Sequence, residues 1–264
     1  MLWQGNIASV PLLESDGDTI LDAADAQTPM STGVRTGLFY HFSECVAMEG
    51  NYFNVRPFTA TELADFESAD LPFLPGAPSV TGGAWLVNKA NIQSAEWNLR
   101  WKEGPGPLTW LAGFRWVEWN QWMSLDSSGD VASQTGNDLY GGQIGADLAL
   151  WNSGGALQVN GVGKAGVFYN HAFQRTWTSL PDSGLNGVFG ERDLTSFFGE
   201  VGINASYWIT QNWAWRVGYS LFWLSGVAVP ANQLGVADVG TVRSINGNGS
   251  VLLHGVTTGL EARW

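Results

Sequence analysis

The sequence predicts an all-β chain, specifically a transmembrane antiparallel up-and-down β-barrel, ten strands when complete and with the first strand mostly missing. Three observations predict it. The last ten residues alternate with a period of two: Val256, Thr258, Leu260, Ala262 and Trp264 share one face, and Gly255, Thr257, Gly259, Glu261 and Arg263 the other. That is a strand with an apolar side and a charged side. The connections alternate between short and long along the whole chain, which collects every long one at the same end of the sheet. The charges of the alternating segments keep to one phase.

Taken in order, residues 2–5 form the tail of a strand whose beginning lies outside the sequence. The polar segment 6–32 carries Glu14, Asp16, Asp18, Asp22 and Asp25. The first full strand is expected over 33–43, and a tight turn at Ser43-Glu44-Cys45 returns the chain through 46–54. A long connection over 54–88 precedes a strand over 90–101 and the breaker-rich turn Gly104-Pro105-Gly106-Pro107. The next strand starts at Leu108 and loses strict alternation over 117–125. A loop at 120–137 leads to the hairpin of 139–151 and 157–170, joined at Asn152-Ser153-Gly154-Gly155. A loop at 171–193 precedes strands over 194–209 and 213–227. A last loop, 228–248, leads to the C-terminal strand. All of 1–264 is one domain, with 6–32, 54–88, 120–137, 171–193 and 228–248 as long outer loops and 1–5 as the remnant of the first strand.

Composition agrees. Among 264 residues there are 34 Gly and 15 Trp, and only 14% are charged, well below the quarter or so of a soluble domain. The net charge of −12 argues against nucleic acid as a partner, because phosphate binding needs a basic patch. The single Cys45 cannot form an internal disulfide. The opening residues lack the basic and apolar regions of a signal peptide, so the sequence is expected to begin inside a mature exported protein.

The phase of the charges carries the most weight. Arg35, Glu49, Glu96, Arg100, Arg115, Asp147, Lys164, Glu200, Arg216, Glu261 and Arg263 all fall on the non-apolar phase, as lumen-facing residues would. The apolar phase carries none except Glu118 and the rim residues Asp138 and Asp193. A Lys or Arg facing lipid at mid-bilayer costs about 2–4 kcal/mol, so this segregation fits a bilayer. A soluble β-sandwich also alternates, but it would carry more Lys than three and would not cap its apolar face with aromatics. Here Trp97, Trp101, Tyr140, Trp151, Tyr207, Trp213, Trp223 and Trp264 supply an aromatic girdle.

Several stretches, in order, carry a resemblance: Glu49-Gly50-Asn51-Tyr52-Phe53, Glu96-Trp97-Asn98-Leu99-Arg100-Trp101, Leu111 through Trp116, Asn137 through Gly145, Gly163 through Val167, Gly199 through Gly202, and His254 through Trp264. On these the chain resembles the beta-barrel porin family 7 of bacterial outer membranes. The resemblance implies an exported precursor with a signal peptide and a complete first strand.

Candidate chemistry is sparse. An outer-membrane protease would need acids and a histidine pointing into a cleft at the rim. His171 and His254 fall instead on the outward phase with Asp138 and Asp193, a poor geometry for a general base. Asp16-Gly17-Asp18 lacks the rest of a calcium loop. The tryptophans on the apolar phase are better explained by lipid than by stacked sugars. No enzyme activity, metal or cofactor is expected. The expected function is that of an outer-membrane barrel, a porin or narrow channel with acidic surface loops. The alternative is a non-conducting structural or surface-interaction barrel. The expected partners are the lipid bilayer of the outer membrane and the barrel-assembly machinery, which would engage the strand ending at Trp264.

Overall fold

The computed structural model describes residues 1–6, 9–26, 29–73, 78–152, 154–179, 187–234 and 245–264. In chain order its strands are β1 (Leu2–Asn6), β2 (Pro11–Ser15), β3 (Asp18–Asp22), β4 (Ser31–His41), β5 (Val46–Ala64), β6 (Ser68–Ala69), β7 (Val80–Thr81), β8 (Ala84–Lys102), β9 (Leu108–Asp126), β10 (Val131–Asn152), β11 (Leu157–Thr178), β12 (Val188–Trp208), β13 (Trp213–Val227) and β14 (Gly249–Ala262). A short helix, α1 (Pro230–Leu234), follows β13. Ten of the strands close a barrel in the order β1-β14-β13-β12-β11-β10-β9-β8-β5-β4, every neighbouring pair antiparallel. Residues 2–5, expected as a remnant, lie in β1, the strand that closes the ring: Leu2 lies opposite both Val256 and Thr32.

The strands are longer than the alternation suggested. The expected loop at 120–137 is strand on both sides of a four-residue turn, and β11 and β12 run through much of 171–193, of which 180–186 lie outside the described residues. β5 and β8 likewise consume both ends of 54–88. The expected loop 6–32 contains the β2–β3 hairpin, and 228–248 contains α1, with 235–244 outside the described residues. At 22 residues, β10 and β11 are about twice the 9–11 residues that a tilted strand needs to cross a bilayer.

The barrel therefore has two halves, and its residues sort differently in each. In the lower half, near the short turns, apolar side chains point outward and are exposed: Trp97, Phe114, Ile144, Val167, Val201, Ile203, Trp215 and Leu260. This band ends upward at a cross-strand row of Trp116, Tyr140 and Tyr169, at the height expected for an interfacial aromatic belt. Above that row the outward positions turn polar, with Gln93, Glu118, Asp138, His171 and Asp193 side by side on β8 to β12. The inward positions of β5, β8, β9, β13 and β14 turn largely apolar, whereas β10 and β11 keep Ser133, Thr135, Asn137, Asn170, Gln174 and Thr176 buried on the inside. Val55, Phe58, Ile92, Val117, Trp119, Leu139, Leu224, Val251 and Leu253 are all buried there.

The upper mouth is filled. The β2–β3 hairpin turns at Asp16 and Gly17, both with positive φ (53° and 88°), as a tight two-residue hairpin requires. It buries Leu12, Leu13 and Leu21 against Ala60, Leu86, Met123 and Leu125 of the barrel and Leu234 of α1. The segment leading into α1 is pinned to the wall. Asn137 on β10 donates to the Ala228 carbonyl and accepts from the Ala228 amide, both at 2.8 Å, and Asn170 on β11 donates to Asn137 at 3.1 Å.

Candidate functional site

The lumen-facing charges come from strands whose inward positions repeat every second residue, so neighbouring strands bring them to one level. Eight of the eleven join into a single alternating chain. Arg35 meets Glu200 at 3.3 Å, and Glu200 meets Arg115 at 2.7 Å. Arg115 reaches Glu96 at 3.7 Å, and Lys164 lies 2.6 Å from Glu96 and 3.7 Å from Glu49. Arg100 closes the series, 2.5 Å from Glu49 and 2.8 Å from Asp147. Seven strands contribute, and four positive charges face four negative ones. Neutral side chains take up the remaining hydrogen-bonding capacity. Gln143 donates to Glu96 at 2.6 Å, Ser94 accepts from the Arg115 Nε at 2.9 Å, and Asn51 donates to Glu96 at 2.9 Å. Charges buried in this way are tolerable only because each is paired and hydrogen-bonded.

The other three behave differently. Arg216 makes no ion pair within 4 Å among the described residues. Glu261 and Arg263 pair with each other at 3.3 Å near the lower rim, where the Arg263 guanidinium sits 3.8 Å from the Trp208 ring. Of the girdle, Trp97, Tyr140, Trp151, Tyr207, Trp213 and Trp223 are exposed on the outer wall, whereas Trp101 is half-buried. Trp264 lies two residues beyond the end of β14 and is exposed.

Directly above the ionic chain lies an aromatic layer that the sequence reading missed. Trp3, Phe53, Phe168, Phe198 and Phe222 point inward and are no more than 3% exposed. Trp3 stacks on Phe222 with centroids 4.4 Å apart. Phe222 in turn contacts Phe53 at 5.1 Å and Phe198 at 5.4 Å. The Arg115 guanidinium caps the layer from below, 4.0 Å from the Phe198 centroid, a favourable arrangement for a cation over a ring face. The signal was present in the sequence. Phe53, Phe168, Phe198 and Phe222 each share a strand phase with Glu49, Lys164, Glu200 and Ser220 respectively, where a water-filled lumen would not place phenylalanine.

The protease candidates sit elsewhere. His171 Nδ1 lies 2.9 Å from Asp193, and both side chains face outward from the wall, 47% and 62% exposed. The hydrogen bond to Asp193 raises the His171 pKa and lowers that of Asp193. Burial, followed by the neighbouring Glu118, raises that of Asp138. His254 is also on the outer wall, against Tyr219 at 3.1 Å. Among the described residues, His171 and Asp193 thus face away from the lumen.

No family model matches the chain, and no curated protein matches it. Among solved structures, the outer membrane protease OmpT from Escherichia coli aligns over 100% of this chain and 97% of its own, with a TM-score of 0.53 at 11% identity. The outer membrane channel DcaP of Acinetobacter baumannii aligns over 98% and 95% with a TM-score of 0.16 at 10% identity. The outer-membrane expressed OmpT of Vibrio cholerae aligns over 100% and 97% with a TM-score of 0.14 at 10% identity. The first of these likenesses is one of fold: a ten-stranded barrel of the outer-membrane type.

Proposed function

We propose that this protein is a non-conducting barrel of the bacterial outer membrane, whose work is done by the wall and mouth that stand above the bilayer. The observation that carries this reading is the stacked filling of the interior: an ionic chain, then an aromatic layer, then an aliphatic core beneath a buried hairpin. An ion entering such a barrel would have to leave water for a layer with the packing of a protein core, at a cost no channel imposes. In this reading the partners are the outer-membrane bilayer and the barrel-assembly machinery, which meets the final strand near Trp264. The task is not catalytic, since the His171–Asp193 pair faces sideways. The porin function implied by the resemblance to porin family 7 is the rival.

Reconstitution in a planar bilayer tests the choice. The parent protein is expected to give no stepwise conductance. Steady, cation-selective steps that weaken as salt rises would restore the porin reading, with the acidic rim acting as the selectivity element.

A further inference from the structure

Above the girdle, the outer wall of β8 to β12 is not uniformly polar. Cross-strand register sets Lys89, Trp122, Gln134, Arg175 and Phe189 in one row across five adjacent strands. Trp177 stands two residues further up, on β11. The Lys89 ammonium lies 4.9 Å from the Trp122 ring centroid, and the Arg175 guanidinium 5.7 Å from that of Trp177. Lys89, Arg175, Phe189 and Trp177 are exposed and Trp122 is half-buried. Neither cation has a carboxylate within 4 Å among the described residues, although the protein carries a net charge of −12. Two bases without an ion-pair partner among the described residues, each beside an indole ring, thus share one patch.

The height of the patch narrows its ligand. The row lies six positions above Trp116, Tyr140 and Tyr169, roughly 20 Å along the strands and, with a barrel tilt, roughly 15 Å above the interface. Acyl chains cannot reach it, and the polar heads of ordinary phospholipids are too short. A saccharide headgroup that rises from the outer leaflet does reach it. Sugar rings present apolar faces that stack on aromatic rings, and phosphate groups pair with Arg and Lys. Of the two rows between the girdle and the patch, the lower carries Glu118, Asp138 and Asp193 and the upper Glu191, all of which repel phosphate. The anionic groups of the ligand must therefore stand above both rows, at the level of Lys89 and Arg175. Below, Ile144, Val167 and Val201 offer the same amphiphile an apolar wall for its chains.

We propose that this wall binds the phosphorylated saccharide headgroup of an outer-leaflet glycolipid. The proposal rests on the barrel lying in the outer membrane, and it names what the wall above the bilayer holds.

The test uses the folded barrel in detergent, with bacterial lipopolysaccharide carrying a phosphorylated core and the same preparation after chemical dephosphorylation, and native mass spectrometry as the readout of retained glycolipid. The parent is expected to retain the phosphorylated form at least tenfold better. A double variant with Lys89→Gln and Arg175→Gln should lose about tenfold or more of that affinity, the equivalent of about 1.4 kcal/mol, and lose nothing for the dephosphorylated form. Trp122→Ala with Trp177→Ala should weaken both. Arg56→Gln with Arg192→Gln, off this patch, should change neither. Heat-modifiable gel migration verifies that each variant is folded. Equal retention of the two glycolipids by the parent, or undiminished retention by a folded Lys89→Gln, Arg175→Gln variant, overturns the proposal. A barrel that conducts yet discriminates in this way refutes the sealed-barrel reading alone. A silent barrel that does not discriminate refutes only this one.

Discussion

The lower and upper halves of this barrel are made from the same strands and follow opposite rules. Below the row of Trp116, Tyr140 and Tyr169, polar and charged side chains point in and apolar ones point out. Above it, charged side chains point out and the buried inward ones are uncharged, apolar on most strands and amide or hydroxyl on β10 and β11. β9 shows the change within a few residues. Phe114 and Trp116 face outward and Arg115 inward, after which Val117 and Trp119 face inward while Glu118 and Asn120 face outward. The backbone ladder continues without a break. What changes is the solvent against the outer wall. A β-strand has no intrinsic inside. Alternation supplies two faces, and the medium on each side decides which of them is apolar.

The strongest way to break this contrast is to unbalance the lower lumen. Arg115→Met leaves Glu200 with Arg35 alone and Glu96 with Lys164 alone, and one negative charge in excess. Complete loss of a buried charge's partner typically costs about 3–5 kcal/mol, which sets the upper bound of the effect. Arg175→Met, on the outer wall of the upper half, should change stability by no more than about 0.5 kcal/mol. Urea titrations of the two variants should differ accordingly. Equal midpoints would mean that the lumen chain is solvated and that the halves do not differ as described.

A second comparison stays on one strand and one phase. Val201 and Phe189 both point outward from β12, Val201 within the apolar band and Phe189 above it. Val201→Arg should impair insertion into lipid vesicles by about 2–4 kcal/mol if Val201 lies near the midplane, seen as loss of the fast-migrating folded form on unboiled gels. Phe189→Arg should insert as the parent does. A Val201→Arg protein that inserts normally would move the bilayer boundary off the lower half.

The smallest effect lies at the boundary itself. Because Asp193 raises the His171 pKa, the pair contributes stability that is fully present below the unfolded histidine value of about 6.5. That contribution is lost as pH rises through the higher folded value. Exposure and screening keep it small. The imidazole resonances of His171 should titrate above the usual midpoint, and Asp193→Asn should bring them back down. A midpoint unmoved by that substitution would remove the pair as a pH-sensitive mark of the interface.

Much of this was legible beforehand, and the gaps share a physical origin. The strand phase of Glu49, Glu96, Arg115, Lys164 and Glu200 was readable because each of these charges sits among outward neighbours that are uniformly apolar. The upper half was not readable in the same way. Where the apolar phase crosses from one face to the other, as at Trp116 and Val117, two apolar residues follow in succession and the period of two is lost. The stretch 120–137 therefore resembled a loop although it is almost entirely strand. The channel expectation weighed the charges on the inward phase and passed over Phe53, Phe168, Phe198 and Phe222 on that same phase. Spacing could not reveal that Arg35 reaches Glu200 while Arg216 has no carboxylate within 4 Å among the described residues, because that depends on how far each side chain extends across the lumen.

The closure by β1 bears on how the barrel assembles. Seven of the ten strand junctions join strands that follow one another directly along the chain, and two more join β5 to β8 and β1 to β4 across modest insertions. One junction, Leu2 against Val256, joins the two ends of the sequence. Contacts of high sequence separation pay their loop entropy before they are rewarded. The hairpins can therefore zip in sequence while the β1–β14 pairing waits for all of them. Trp3 stacks on Phe222 only when that last pairing is made, so its indole is a natural clock for folding. With 15 Trp in the chain, the Trp3 signal is read as the fluorescence difference between the parent and a Trp3→Phe variant. In refolding it should trail the sheet signal in far-ultraviolet dichroism, and it should be the first to depart when the barrel opens.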